Sequence, residues 1–211
     1  RPADRLNLAG VTGTNGKTTT AFLIDAALRR ASKITGLLGT VETRIAGRPK
    51  DASLTTPESL DLQQLLREMV DEGVTHATLE VSSHALVQER VRGLRFKAAV
   101  FTNLTRDHLD FHGGFDAYFE AKKLLFTRHL HDEGMAIVNL DDEHGALLAD
   151  VGRVFTAPDV NKGPAVELSD FTNHPKYDGI DTGLDLPAFD FGVVFLAEQE
   201  SLGRTVALKL V

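Results

Sequence analysis

Short apolar runs alternate with longer stretches of helical period up to about residue 156. Leu6 to Val11, Ile34 to Val41, His76 to Val81, Ala98 to Leu104, Met135 to Leu140 and Arg153 to Thr156 have the length and apolar character of strands. Between them, Lys17 to Ala31, Pro57 to Glu72, Phe115 to His131 and Asp141 to Asp150 carry apolar residues at three- and four-residue intervals, as amphipathic helices do. The second of these opens with Thr56 as a candidate N-cap and Pro57 at the first helical position, and it stops before Gly73. Strands and helices in strict alternation predict an α/β fold, a mostly parallel sheet flanked by helices.

The pattern changes after residue 156. Residues 157 to 188 are dense in Pro, Gly, Asp and Asn and predict a loop-rich connection, with one short strand around Val166. Phe191 to Ala197 and Arg204 to Val211 flank Glu200-Ser201-Leu202-Gly203 and predict a β-hairpin. The expected organisation is therefore a core over 1–156 and a small antiparallel β subdomain over 157–211, within one larger domain.

Composition narrows the function classes. With 211 residues and 42% hydrophobic positions the chain can bury a substantial core. A balance of 23 basic against 30 acidic residues, net -7, provides no broad electropositive surface, so nucleic acid is not an expected partner. The absence of cysteine excludes disulfides and thiolate metal sites and fits a reducing, cytoplasmic compartment. No apolar run reaches membrane-spanning length. The chain starts at Arg1 and stops inside a strand-like run, so we expect a segment of a longer protein.

Gly13-Thr14-Asn15-Gly16-Lys17-Thr18-Thr19 stands between the first strand and the first helix, where a phosphate-binding loop belongs. Glycines let backbone N–H groups close around phosphate oxygens, Lys17 reaches the β/γ-phosphates, and the Thr18 hydroxyl meets Mg²⁺. The helix adds its positive end. Val11 occupies the place of the first glycine in the general pattern, making this a variant loop.

Ligands of such sheets gather at the carboxyl ends of the strands. Glu80, near the end of an apolar strand in Leu79-Glu80-Val81-Ser82-Ser83-His84, is either a surface acid on an edge strand or a carboxylate facing the Mg²⁺ of the loop. The segment Arg106-Asp107-His108-Leu109-Asp110 follows the next strand. His108 is a surface imidazole or a ligand for a second cation, oriented by Asp107 or Asp110. Ser53, Thr55 and Thr56 offer hydroxyls before the second helix, for an anion or for plain capping. Gln88 and Arg90 follow the Ser-Ser-His cluster, and Arg90 is either a solvated charge or an anion clamp.

Lys122 is the least expected residue. Helical spacing puts Tyr118, Lys122, Leu125 and Phe126 on one side, with Lys123 facing away. A lysine on an apolar side must snorkel, pair or lose its charge. If neutral, it can add CO₂ and become a carbamate, an anion able to bind metal beside His108.

Taken together, GTNGKTT (13–19), TTPES (55–59), EVSSHALVQER (80–90), FTNLTRDHLDFHG (101–113), YFEAKKLLF (118–126) and VNLDDE (138–143) resemble the Mur ligases, ATP-dependent amide-forming enzymes of peptidoglycan precursor synthesis. The match corresponds to their central ATPase domain and is firm to about residue 150. EVSSHALVQ and DHLDFHG resemble most the branch that adds the third peptide residue. This resemblance implies ATP on Gly13, Thr14, Asn15, Gly16, Lys17, Thr18 and Thr19, with Asn139 near the adenine. It implies one Mg²⁺ held by Thr18 and Glu80 and a second held by His108 and carbamylated Lys122. Thr55, Thr56, Ser82, Gln88 and Arg90 match positions that contact the UDP-MurNAc-dipeptide substrate, and a diamino acid would be the incoming partner. Folylpolyglutamate synthase, a related ligase, and a P-loop module that binds nucleotide without ligating are the competing readings.

Overall fold

A computed structural model describes residues 1–50, 54–148, 154–156, 193–199 and 204–210. The chain enters through a short 3₁₀ turn (Pro2–Arg5) and runs β1 (Asn7–Thr12), α1 (Lys17–Arg30), β2 (Thr35–Leu38), β3 (Thr43–Ile45), β4 (Arg48–Lys50), α2 (Ser59–Asp71) and β5 (His76–Glu80). It continues through α3 (Ser83–Val87), β6 (Phe96–Phe101), α4 (Leu109–His112), α5 (Phe115–Thr127), β7 (Leu130–Val138), α6 (Glu143–Leu148) and β8 (Val154–Thr156). An eight-stranded sheet has the order β4-β3-β2-β5-β1-β6-β7-β8, and only β3 and β4 run antiparallel to their neighbours. The expected α/β class, with a mostly parallel sheet between helices, is what the chain forms.

The helices divide between the two faces. Ala21, Ile24 and Ala27 of α1 pack with Val11, Leu37, Val100 and Ile137 on one face. Leu62, Leu66 and Met69 of α2, with Tyr118, Leu125 and Phe126 of α5, join Leu79, Phe96 and Phe101 on the other. Side chains alternate across each strand, so β1 feeds both cores: Leu8 one, Ala9 and Val11 the other. At Gly10 the backbone passes Phe96 and Leu125 so closely that a Cβ would stand 3.0 Å from the Phe96 ring.

Several boundaries differ from those the sequence predicts. The helix expected over 115–131 ends at Thr127, and Leu130 already pairs with Phe96, so β7 starts five residues before Met135. Pairing in the sheet overrides a helical period that continues in the sequence. Thr56 does not cap α2; Glu58 occupies the N-cap and Ser59 is the first helical residue, because Thr56 is buried and bonded to the end of β5. The strand expected over 34–41 stops at Leu38 and turns back at Gly39. The hairpin β3–β4 was not expected, and its outer strand Arg48-Pro49-Lys50 is fully exposed at the sheet edge.

Near the C-terminus β9 (Val193–Gln199) and β10 (Arg204–Leu210) pair antiparallel, as predicted for the hairpin, two residues later than expected at the start of the first strand. The connection over 157–188, the strand around Val166, the turn Glu200–Gly203 and Ser53 lie outside the described residues. Among the described residues no helix is long and apolar enough to cross a membrane.

Candidate active site

Strand order builds the site. Because β1 lies between β5 and β6, its carboxyl end has Glu80 on one side, in register with Val11, and the exit of β6 on the other, with Phe101 beside Thr12. The chain then needs a sharp turn to enter α1. Gly16 provides it at the N-cap with φ 83°, a left-handed conformation that costs a residue with Cβ. Gly13, at φ 149°, lies so close to the Thr102 hydroxyl that no side chain fits there.

The loop is tied to the β6 exit by Thr14 N donating to Asn103 O at 2.9 Å and Asn15 N to Asn103 Oδ1 at 2.9 Å. The Thr102 hydroxyl donates to Asn15 O at 2.6 Å. The first N–H groups of α1 face the same space, without helical partners of their own. Lys17 curls over the loop and donates to the carbonyls of Gly13 (3.0 Å) and Thr14 (2.9 Å). Burial lowers its pKa, against the opposing pull of Glu80 and Asp107.

Glu80 is 1% exposed. Its carboxylate accepts from the Thr18 hydroxyl (2.9 Å), from Thr40 N (2.9 Å) and from the Thr40 hydroxyl (3.0 Å). None of these donors carries a charge. A buried carboxylate held only by neutral donors beside a helix N-terminus suits a cation bound between it and Thr18. The alternative of a surface acid on an edge strand is excluded, since β5 is interior to the sheet.

Lys122 is 1% exposed and does not snorkel. Its amine donates to Gly13 O at 2.7 Å and stands 4.4 Å from the centre of the Tyr118 ring. Burial, then the charge of Lys17, pushes its pKa down to about 6. The ring favours the charged form by about 2 kcal/mol, whereas desolvation shifts fully buried lysines by up to about 3–5 pKa units, roughly 4–7 kcal/mol, so desolvation wins. Lys123 is partly exposed and pairs with Glu120, as the spacing predicts.

His108 sits at the N-cap of α4 in a left-handed conformation (φ 50°). Its Nε2 lies 3.3 Å from Asp107 Oδ2, making Asp107 the orienting acid of the two considered. The rings of His108 and Tyr118 are 6.2 Å apart, so His108 and Lys122 lie against the same tyrosine. His84 and His112 complete an aromatic cluster with Phe111. Burial first, then neighbouring imidazoles, lowers the pKa of both. Among the described residues no three His, Asp, Glu or Cys side chains form a metal cage.

The remaining candidates separate. Thr55 meets Thr40 through their hydroxyls at 3.0 Å. Thr56 donates to Glu80 O at 2.9 Å and accepts from Ser82 N at 3.1 Å, while Ser82 caps α3 through Ala85 N. Arg90 donates to Thr56 O at 3.0 Å and pairs with Glu58 at 2.8 Å. Thr55, Thr56, Ser82 and Arg90 thus gather around the end of β5. Gln88 is the C-cap of α3. Asn139 follows β7 and donates to Thr102 O at 2.8 Å, which ties it to the far side of the loop, and Thr19 is exposed on the first turn of α1. Thr40 and the Tyr118 hydroxyl, 3.1 Å from the Thr14 hydroxyl, belong to the same set and were not predicted. The polar run at 102–105 was the sole sequence signal for the ties made by Thr102 and Asn103.

The model of the Mur ligase middle domain matches residues 11–171. Over 149 residues the chain is 54% identical to a UDP-N-acetylmuramoyl-L-alanyl-D-glutamate--2,6-diaminopimelate ligase of Solibacter usitatus (strain Ellin6076), covering 70% of this chain and 30% of that protein. The ligase of the same name from Clostridium perfringens (strain 13 / Type A) is 51% identical over 145 residues, 69% of this chain and 29% of its own. A solved structure of a ligase with that name superposes with TM-score 0.64 at 38% identity, over 72% of this chain and 31% of the other. This chain spans about 30% of the length of the curated relatives it matches.

Proposed function

The chain belongs to the Mur ligase family as a middle domain, and on that premise we propose that it is the ATP-binding part of a ligase that adds a diamino acid to UDP-MurNAc-L-Ala-D-Glu. The relatives' names support 2,6-diaminopimelate as that amino acid. The reaction joins two anions, ATP and the D-glutamate side-chain carboxylate, so charge neutralisation and alignment supply most of the catalysis. A carboxylate oxygen attacks the γ-phosphorus and ADP leaves, giving an acyl phosphate. The amine of the incoming amino acid then attacks the acyl carbon, inorganic phosphate departs, and the nitrogen loses a proton.

In this reading the backbone of Gly13, Thr14, Asn15 and Gly16 surrounds the phosphates, and Thr19 lies on the first turn beside them. Lys17 leaves its own loop carbonyls for the β/γ-phosphates. Asn139 borders the adenine. Thr18 and Glu80 would hold one Mg²⁺, which would neutralise phosphate charge. Its support is the Glu80 carboxylate, buried with neutral donors alone. Thr55, Thr56, Ser82, Gln88 and Arg90 line the approach of the muramoyl dipeptide. The organisation into a core over 1–156 and a β subdomain over 157–211 belongs to the same proposal.

A second Mg²⁺ would be held by His108 and carbamylated Lys122. With a pKa of about 6 the Lys122 amine is largely neutral at pH 7 and nucleophilic. Its nitrogen bonds to the carbon of CO₂, one C=O electron pair moves onto oxygen, and the N–H proton leaves to solvent. The product is an anion where the unmodified chain has an amine.

The observation that carries the proposal is Lys17, Thr18 and Glu80 assembled at one strand end. Lys17→Ala in the full-length protein is expected to abolish ATP-dependent amide formation with an unchanged melting temperature. Ligation at the parent rate would refute it.

A further inference from the structure

Helix α5 grips the phosphate loop twice. Lys122 donates to Gly13 O at 2.7 Å, and Tyr118, one turn earlier, places its hydroxyl 3.1 Å from the hydroxyl of the adjacent residue, Thr14. Proton counting orients the second bond. Thr14 Oγ1 accepts from Thr105 N at 3.0 Å and donates its one proton to Thr105 O at 3.2 Å, which has none to give. All three contacts are made at once only when the Tyr118 hydroxyl donates to Thr14. Tyr118 is 1% exposed, so this bond is shielded from water.

The two grips differ in permanence. Carbamylation would leave the Lys122 nitrogen a single N–H and place an anion beside it, which weakens its hold on Gly13 O, whereas nothing in the chemistry asks the phenol to change. We propose that Tyr118 is a positioning residue for ATP, the tie that keeps Thr14 and the loop in register with α5 whatever the state of the Lys122 amine. The inference rests on the nucleotide-binding reading above. It assigns Tyr118 no contact with the reacting atoms.

Tyr118→Phe in the full-length enzyme keeps the ring under Lys122 and removes only the donor. Its KM for ATP is expected to rise about three- to tenfold, the range of one neutral hydrogen bond, while KM for the muramoyl substrate and kcat at saturating ATP stay within about twofold. Thr14→Val, which also loses the bonds to Thr105, should raise KM for ATP at least as much, Thr14→Ser, which keeps the hydroxyl, should recover most of that loss, and the double variant Thr14→Val with Tyr118→Phe should be no worse than Thr14→Val alone. Should Tyr118→Phe not fold, the contrast between Thr14→Val and Thr14→Ser carries the test. A parental KM for ATP in Tyr118→Phe, a lowered melting temperature as its only effect, or additive losses in the double variant would overturn the proposal. Lys17→Ala separates the two levels. If it leaves binding of a non-hydrolysable ATP analogue intact, the nucleotide reading has failed; if it weakens binding and Tyr118→Phe does not, the role of Tyr118 alone has failed.

Discussion

Two carboxylates are buried along α1, Asp25 on the helix itself and Glu80 against its first turn, and they are partnered in opposite ways. Asp25 has a fully buried side chain that receives Arg29 at 3.0 Å and Arg44 at 2.8 Å, two cations from the chain itself. Glu80, equally buried, receives two threonine hydroxyls and one backbone N–H. Burial of a charge is costly in both places. At the seam between α1 and β3 the protein neutralises that charge internally and gains a structural clamp. At the end of β5 the hydrogen bonds come from neutral groups alone, and this is where the proposed Mg²⁺ would sit.

The comparison breaks if the two residues respond alike. Glu80→Gln is expected to lower kcat/KM of the full-length enzyme at least about a hundredfold, with a melting temperature at or above the parent's. Loss of stability without loss of activity would place Glu80 with Asp25. Asp25→Ala should do the reverse, costing about 2–4 kcal/mol in denaturant unfolding because Arg29 and Arg44 lose their shared buried partner and Arg44 is left with Glu42, while the refolded fraction keeps its KM values. For Lys122 the expected effect is a slope with pH. Its folded pKa, about 6, lies below the unfolded value of 10.5, so between those pH values the unfolded chain binds more protons. Stability from this group therefore rises as pH climbs from about 6 towards 10.5 and is flat below 6. Lys122→Met should flatten that slope in urea titrations across the window. An unchanged slope would mean that Lys122 keeps its charge when buried.

Legibility in the sequence followed how local each signal was. Six strands and four helices of the core were readable because period and punctuation agree within each segment. The face of α5 was readable too: Tyr118, Lys122, Leu125 and Phe126 are all buried. The hairpin β3–β4 was hidden because Thr43-Arg44-Ile45 and Arg48-Pro49-Lys50 have too few apolar positions to declare a strand. The start of β7 was hidden because Leu130-His131-Asp132-Glu133 is polar and continues a helical period, and only pairing with β6 makes it a strand. Motif residues of the site were legible in kind: Lys17, Thr18, Glu80, His108 and Lys122 were all singled out. Their supports were not. Thr40 stands in an unremarkable Gly39-Thr40-Val41 turn, and only the placement of β2 beside β5 brings it to Glu80. Thr56 was misread as a cap because a threonine before a proline signals one, while its actual bonds lie across the sheet.

The exposed outer strand has a consequence for how the chain behaves among its own copies. Pro49 has no N–H to offer a further strand, and the flanking Arg48 and Lys50 put like charges on any identical edge that approaches. The sheet thus carries its own terminator on that side, protecting newly made chains from zippering edge to edge.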